Sequence, residues 1–371
     1  MIELRARRVW LRLAEEVVIA RARERHAEVI QVELRYGSAV GFGEGAPAAR
    51  FGETPDETLA YLRDPATSGL VGRDPFALET VSSEFARVAG QRAASAAIDA
   101  ALHDLVGQLL GQPVWRLYGL TRSAPATAWT VSLADPDAMA RAAETAVRSY
   151  RRLKLKLGGR DGLDLERVRA VRAITAAPLQ VDVNEAWTFE EAGEALAELA
   201  ALGVDLCEQP LHAGDPHGPA LKARSPIPIF VDEDCRTPAD VAACRERAHG
   251  VNVKLAKCGG IRQALKLVAA ARATGLALML GCTAESSLGT AAACQIASLF
   301  DYVDLDGNLK LRRDPWAGLE LTDGVQRASG RPGLGVEPAA APPLEQLGGL
   351  YFTRARPLLR RVYHRLREHR P

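Results

Sequence analysis

The chain has 371 residues, 47% hydrophobic and 25% charged, with a formal net charge of +1. That balance suits a soluble globular protein and offers no electrostatic case for nucleic acid or an anionic membrane as partner. No apolar run approaches the roughly 20 residues that span a bilayer, and the N-terminus, Met1-Ile-Glu-Leu-Arg-Ala-Arg-Arg8, lacks the apolar core of a secretory signal. The six cysteines form no Cys-x-x-Cys pair and read as reduced, buried thiols, so a cytoplasmic protein is expected.

In chain order, Ile2 to about Leu13, Val29–Arg35 and Val40–Phe42 read as a small antiparallel meander, with Tyr36-Gly37-Ser38 as the second turn. Ala14–Ala27 between the first two strands reads as a loop carrying Arg21, Arg23, Arg25 and His26. Helical patterns follow over Thr54–Leu62, Pro75–Val88 and Ala93–Leu110, the last Ala-rich and ending at Gly111. From Ala126 the grammar changes to short apolar strands alternating with amphipathic helices. The strands are Thr127–Leu133, Leu153–Leu157, Leu179–Val183, Val204–Glu208, Ile227–Asp232, Val251–Leu255, Leu276–Gly281 and Tyr302–Asp306. Eight such units close into an α/β barrel of the (β/α)8 type. The tail ends in a basic helix from about Leu350, expected to pack back on the N-terminal module or on a partner subunit.

Polar residues recur at the ends of these strands, each one strand–helix unit after the last: Lys156, Asp182, Glu208, Asp232, Lys254, then Gly281 and Asp304. That is the C-terminal rim, where barrel enzymes keep their active sites. Asp182, Glu208 and Asp232 offer three oxygen ligands on neighbouring strands, the preference of Mg²⁺. Helix capping explains any one of them, but poorly explains three beside two lysine strands. Lys154 and Lys156, two residues apart, share a strand face. Protective lysines on an edge strand would account for that pair alone. With the second and sixth strands diametrically opposed, Lys156 and Lys254 can face each other across a bound carbon atom. One would remove an α-proton, the metal would stabilise the resulting enediolate, and the other would return a proton on the opposite face. Repulsion between paired lysines, the nearby cation and desolvation are expected to depress the lysine pKa. Asp304-Leu305-Asp306 repeats the i, i+2 geometry and suits a substrate ammonium, or a helix cap plus a surface acid. Glu285, in the strand-to-helix loop Gly281–Gly289, could bond a rim lysine or cap the next helix.

These residues resemble the enolase superfamily, and within it the muconate-lactonizing subgroup, along almost the whole chain. The match comprises Gly41-Phe-Gly-Glu-Gly-Ala-Pro47, Lys154-Leu-Lys156, Asp182-Val-Asn184, Glu208-Gln-Pro210, Asp232-Glu-Asp234, Asn252-Val-Lys254 with Cys258-Gly-Gly-Ile261, Gly281–Gly289 and Pro332-Gly-Leu-Gly-Val336. The resemblance implies a modified (β/α)7β barrel at 123–316, an α+β capping domain at 1–122 plus about 317–371, and one Mg²⁺ per site. It assigns Lys156 and Lys254 as the acid/base pair, Lys154 as electrostatic partner, and Asp182, Glu208 and Asp232 as ligands. Asp304-Leu-Asp306 looks like the Asp-x-Asp motif with which dipeptide epimerases such as the L-Ala-D/L-Glu epimerases hold the α-ammonium. The chemistry implied is inversion at the C-terminal residue of a dipeptide through a Mg²⁺-bound enediolate. Thr130, Glu285, Arg21 and Arg23 complete the expected substrate-binding set, and a homo-oligomer is expected.

Two departures matter. The third residue of the Asp232-Glu-Asp234 motif is an aspartate, where the family usually has Ser or Thr, which leaves Asp232 and Asp234 both open as ligand, with Asp232 favoured. The specificity loop reads Val18-Ile-Ala-Arg-Ala-Arg23. An acidic substrate residue could meet Arg21, Arg23 or Arg25 there, or the loop is simply solvated. The competing readings are an o-succinylbenzoate synthase or muconate cycloisomerase-like enzyme, a Schiff-base aldolase, and a catalytically retired scaffold protein.

Overall fold

The computed structural model describes residues 2–71, 74–88 and 90–340. The basic helix expected from Leu350 lies outside the described residues. Strands β1 (Glu3–Ile19), β2 (Ala22–Tyr36) and β3 (Ala39–Gly45) form an antiparallel sheet in the order β1-β2-β3. The expected loop at Ala14–Ala27 is instead the far end of this hairpin. Pairing runs on through Val17↔Glu24, Val18↔Arg23 and Ile19↔Ala22, after a register shift between Arg12 and Val17. Consecutive β-branched residues favour extension here. The turn at Ala20-Arg21 carries no Gly, Asn or Pro, so nothing in the sequence marks it.

The Ala-rich helix Arg92–Leu110 lies across β3 at very short range. A methyl group on Gly41, Gly43 or Gly45 would collide with the backbone carbonyls of Ala101, Ala97 and Ala93 respectively. Glycine every second residue on the strand thus meets alanine every fourth on the helix, and backbone packs on backbone. Gly43→Ala is expected to cost about 3 kcal/mol through overpacking, read as a lowered thermal midpoint.

The second sheet is the barrel: β4 (Ala128–Val131), β5 (Arg152–Lys156), β6 (Leu179–Asp182), β7 (Val204–Glu208), β8 (Ile229–Val231), β9 (Gly250–Val253), β10 (Ala277–Gly281) and β11 (Tyr302–Asp304). All eight are hydrogen-bonded in chain order and parallel. A bridge between Thr127 and Val303, with Leu305 N donating to Thr127 Oγ1 at 2.7 Å, brings the two ends together. Outside the strands, apolar faces pack under the helices. Inside, Leu206, Phe230 and Met279 form an apolar plug below the rim. A short helix, Gly218–Arg224, sits between β7 and β8, where the sequence pattern announced none. Gly333 and Leu334, in the tail, bond to Gln112 and Asp104 of the N-terminal module. Among the described residues no helix is long and apolar enough to cross a membrane.

Candidate active site

Parallel register puts Lys156 beside Asp182 and Asp182 beside Glu208. Asp232 follows two residues after Phe230, the partner of Glu208, on the same face of the barrel. The three carboxylates are fully buried. Lys156 Nζ donates to Asp182 Oδ2 at 2.5 Å and to Asn184 Oδ1 at 3.3 Å. Lys154 Nζ, fully buried, lies 2.6 Å from Asp304, 2.8 Å from Glu208 and 3.1 Å from Asp182. Lys254 Nζ donates to Asp232 Oδ2 at 2.8 Å.

These contacts reverse the expected electrostatics of Lys154 and Lys254. Burial works against the charge on Lys154, but Asp182, Asp304 and Glu208 outweigh it and hold its pKa well above the ordinary value. Lys254 is likewise raised, with burial overcome by Asp232 and Glu208. Lysine–lysine repulsion loses because each ammonium touches a carboxylate directly. The carboxylates divide. Burial opposes ionisation of Asp182 and Asp232, yet the lysines around them hold both low. Glu208 is pushed up by burial and by Asp182 beside it.

Glu208 Oε2 accepts no aligned hydrogen bond, although Lys154 stands near it, and Asp304 Oδ1 is also buried without a donor. Three buried acids with an orphaned oxygen suit a hard divalent cation in donor type and charge. Among the described residues, no three acidic, histidine or cysteine side chains are already gathered around one point, because lysine ammonium groups stand between the acids.

Asp232 and Asp234, which share spacing, part company in space. Asp234 accepts from Gln209 Nε2 (2.7 Å), Gly214 N (2.8 Å) and Arg247 Nη1 (2.7 Å), and pins loops behind the rim. Asp232 stays with the lysines, its Oδ1 held by the buried Lys257 at 2.6 Å. Lys257 reaches back from the helical turn Leu255–Cys258 and donates also to Asn252 O at 2.8 Å. Gln209, in a left-handed conformation at φ 38°, accepts from Asp232 N and Glu233 N. Asn252 Nδ2 donates to Glu208 Oε1 at 2.8 Å. Lys257 was not singled out in the sequence, and Gln209 and Asn252 entered only inside the motifs Glu208-Gln-Pro210 and Asn252-Val-Lys254, with no role of their own. Asn252 could have been given one, since it shares strand parity with Lys254.

Above the rim opens a cavity of about 700 Å³, walled by the β1–β2 hairpin, by Ala46–Arg50 and by the barrel. Lys154, Lys156, Lys254, Thr130, Asp304 and Asp306 reach it, while the three buried carboxylates lie beneath. Asp306 Oδ2 accepts from Thr130 N at 2.7 Å, and Lys310 Nζ stands 3.3 Å from it while donating to Thr130 O. Glu285 accepts from Thr283 Oγ1 at 2.7 Å; the cap of the following helix is Ser286, whose N–H and hydroxyl both donate to Glu44 of β3. Arg21, at the hairpin tip, donates to Glu233 (2.7 Å), Glu185 (3.1 Å) and Asn184 O (3.0 Å), fastening the hairpin to the rim. Arg50 reaches Glu233 too. Arg23 and Arg25 turn to Glu16 instead.

A barrel with lysines and carboxylates on its C-terminal rim, closed over by an antiparallel N-terminal sheet, is the architecture of one large class of enzymes. Residues 1–119 match the family model described as "Mandelate racemase / muconate lactonizing enzyme, N-terminal domain", and residues 138–341 match "Enolase C-terminal domain-like". The chain belongs to the enolase superfamily. Among its relatives is the L-Ala-D/L-Glu epimerase of Bacteroides thetaiotaomicron, 35% identical over 311 residues, covering 83% of this chain and 80% of that protein. The substrate-liganded L-Ala-D/L-Glu epimerase of Bacillus subtilis superposes with a TM-score of 0.87 at 30% identity, covering 91% and 99% of the two chains. A dipeptide epimerase from Methylococcus capsulatus, complexed with Mg and L-Arg-D-Lys, superposes at 0.84 with 32% identity, covering 90% and 98%.

Proposed function

We propose that the protein is a Mg²⁺-dependent dipeptide epimerase that inverts the α-carbon of the C-terminal residue by 1,1-proton transfer. The observation that carries this reading is a single cavity entered by Lys156 and Lys254, from strands on opposite sides of the barrel, with Asp304 and Asp306 beside the seam. Relatives named as dipeptide epimerases support it.

Asp182, Glu208 and Asp232 would hold the ion. Bound there, Mg²⁺ would supply a Lewis-acidic charge for the substrate carboxylate and offset the acids that hold Lys254 protonated. Lys156 takes or gives the proton on one face of the α-carbon and Lys254 on the other, so the planar carbanionic carbon can be reprotonated with either configuration. Lys154 keeps its proton, since three carboxylates bind it, and acts as a fixed positive charge beside Lys156. Lys257, Gln209 and Asn252 orient Asp232 and Glu208. The hairpin, latched through Arg21, covers the reacting carbon and excludes water.

Asp304 and Asp306 provide the countercharge for the dipeptide's α-ammonium. Acids that lack an ammonium, as in lactonisation or o-succinylbenzoate formation, would leave this pair unused. In Asp306→Asn the amide oxygen can still accept from Thr130 N, so the fold is retained while the charge is lost. KM for an L,L-dipeptide is expected to rise at least about 10-fold, with a much smaller change for its N-acetyl derivative, both followed by chiral chromatography. Equal KM values for wild type and variant would remove the ammonium site from the reading.

A further inference from the structure

The hairpin wall of the cavity carries charge of both signs, and the structure separates the charges that are already answered from the one that is not. Arg21 is spent on Glu185 and Glu233. The guanidinium groups of Arg23 and Arg25 are 73% and 80% exposed and turn to Glu16, which is not part of the cavity wall. Alternation along the paired strands puts Val17, Ile19, Ala22 and Glu24 on one face, through the register pairs Val17↔Glu24 and Ile19↔Ala22. All four line the cavity, as does His26 further along; on the other face Val18 does not, although Arg23 and Arg25, which turn to Glu16, also border it. The Glu24 carboxylate, exposed on the cavity wall, makes no hydrogen bond and no ion pair among the described residues. Partial burial pushes it up, while His26 and Lys156 pull it back, which sets it within electrostatic reach of the lysine at the reacting carbon.

We infer that Glu24 selects a cationic side chain, lysine or arginine, on the residue that is epimerised. The inference rests on the epimerase reading. An apolar strip of Val17, Ile19 and Ala22 ending in a free carboxylate fits a methylene stem with a charged tip, as long basic side chains bury the stem and keep the head paired. A neutral residue leaves the Glu24 carboxylate without a countercharge, and an acidic one brings like charge to the end of the strip. The names of the relatives span acidic and cationic substrates, so they do not decide the matter.

The test uses the full-length protein with Mg²⁺ in deuterium oxide, and compares L-Ala-L-Lys, L-Ala-L-Met and L-Ala-L-Glu. The lysine dipeptide is expected to exceed the other two in kcat/KM by about 10-fold or more. Glu24→Gln is expected to bring the Lys-to-Met ratio down to about 2 or less, and Glu24→Lys to move the preference towards L-Ala-L-Glu. Met or Glu turned over as well as Lys by the wild type, or a Lys-to-Met ratio unchanged in Glu24→Gln, overturns the inference and leaves the epimerase reading standing. Label entering no dipeptide at all overturns both.

Discussion

Lys156→Ala and Lys254→Ala are each expected to lose inversion by about 10³-fold or more, yet to fail in opposite ways. If the two lysines serve opposite faces of the α-carbon, each variant keeps the base for one epimer only. One will exchange the α-proton of the L,L-dipeptide with solvent deuterium without inverting it. The other will do the same only with the L,D-dipeptide. The folded state is expected to survive both changes, because Lys254 is one of several cations on Asp232 and Lys156 one of two on Asp182. Proton NMR of the α-position in deuterium oxide reads exchange, and chiral chromatography reads inversion. If both variants exchange the same epimer, the lysines share a face and the two-base mechanism is wrong.

Removal of the metal is expected to have an effect of similar size. Protein treated with a chelator should lose turnover and recover it with Mg²⁺, and Glu208→Gln should weaken Mg²⁺ binding by about 100-fold or more. Titration calorimetry reads the affinity independently of activity. Glu208 is the informative position, since its Oε2 is buried without an aligned donor and its pKa is raised by burial and by Asp182. The glutamine removes charge at little change of volume. Its amide also places a donor beside Lys154, so thermal denaturation without metal should show a stability no higher than that of the wild type. Unchanged Mg²⁺ affinity in this variant would take Glu208 out of the ligand set.

Much of the rim was legible because strand geometry is local. A period of two puts Lys154 with Lys156 and Asp304 with Asp306, and a recurring strand–helix unit stacks Asp182, Glu208, Asp232 and Lys254 at the same height. That reasoning stops where strands stop. Asp232 and Asp234 have matching parity, but β8 ends at Val231, and the chain then bends so that Asp234 meets Arg247 and Gly214. Lys257 was hidden for the same reason, as it reaches Asp232 only because the chain turns helical after Lys254. The hairpin was misread as a loop because Ala20-Arg21 lacks turn chemistry. Its pairing with the barrel, through Leu133 N to Val18 O at 2.9 Å, is a long-range contact. The electrostatics failed most instructively. Two adjacent lysines suggest a depressed pKa, but the carboxylates around Lys154 come from strands far along the chain and raise it, as those around Lys254 do.

The central claim is abstraction of an α-proton from the C-terminal residue of a dipeptide. Incubating the Mg²⁺-loaded protein with a library of L,L-dipeptides in deuterium oxide, and reading each by mass spectrometry, tests it most directly. One deuteron per molecule, located at the C-terminal α-carbon and accompanied by the L,D-epimer, is the predicted result. A library that comes back unlabelled, while an acid without an ammonium group is turned over, would contradict it.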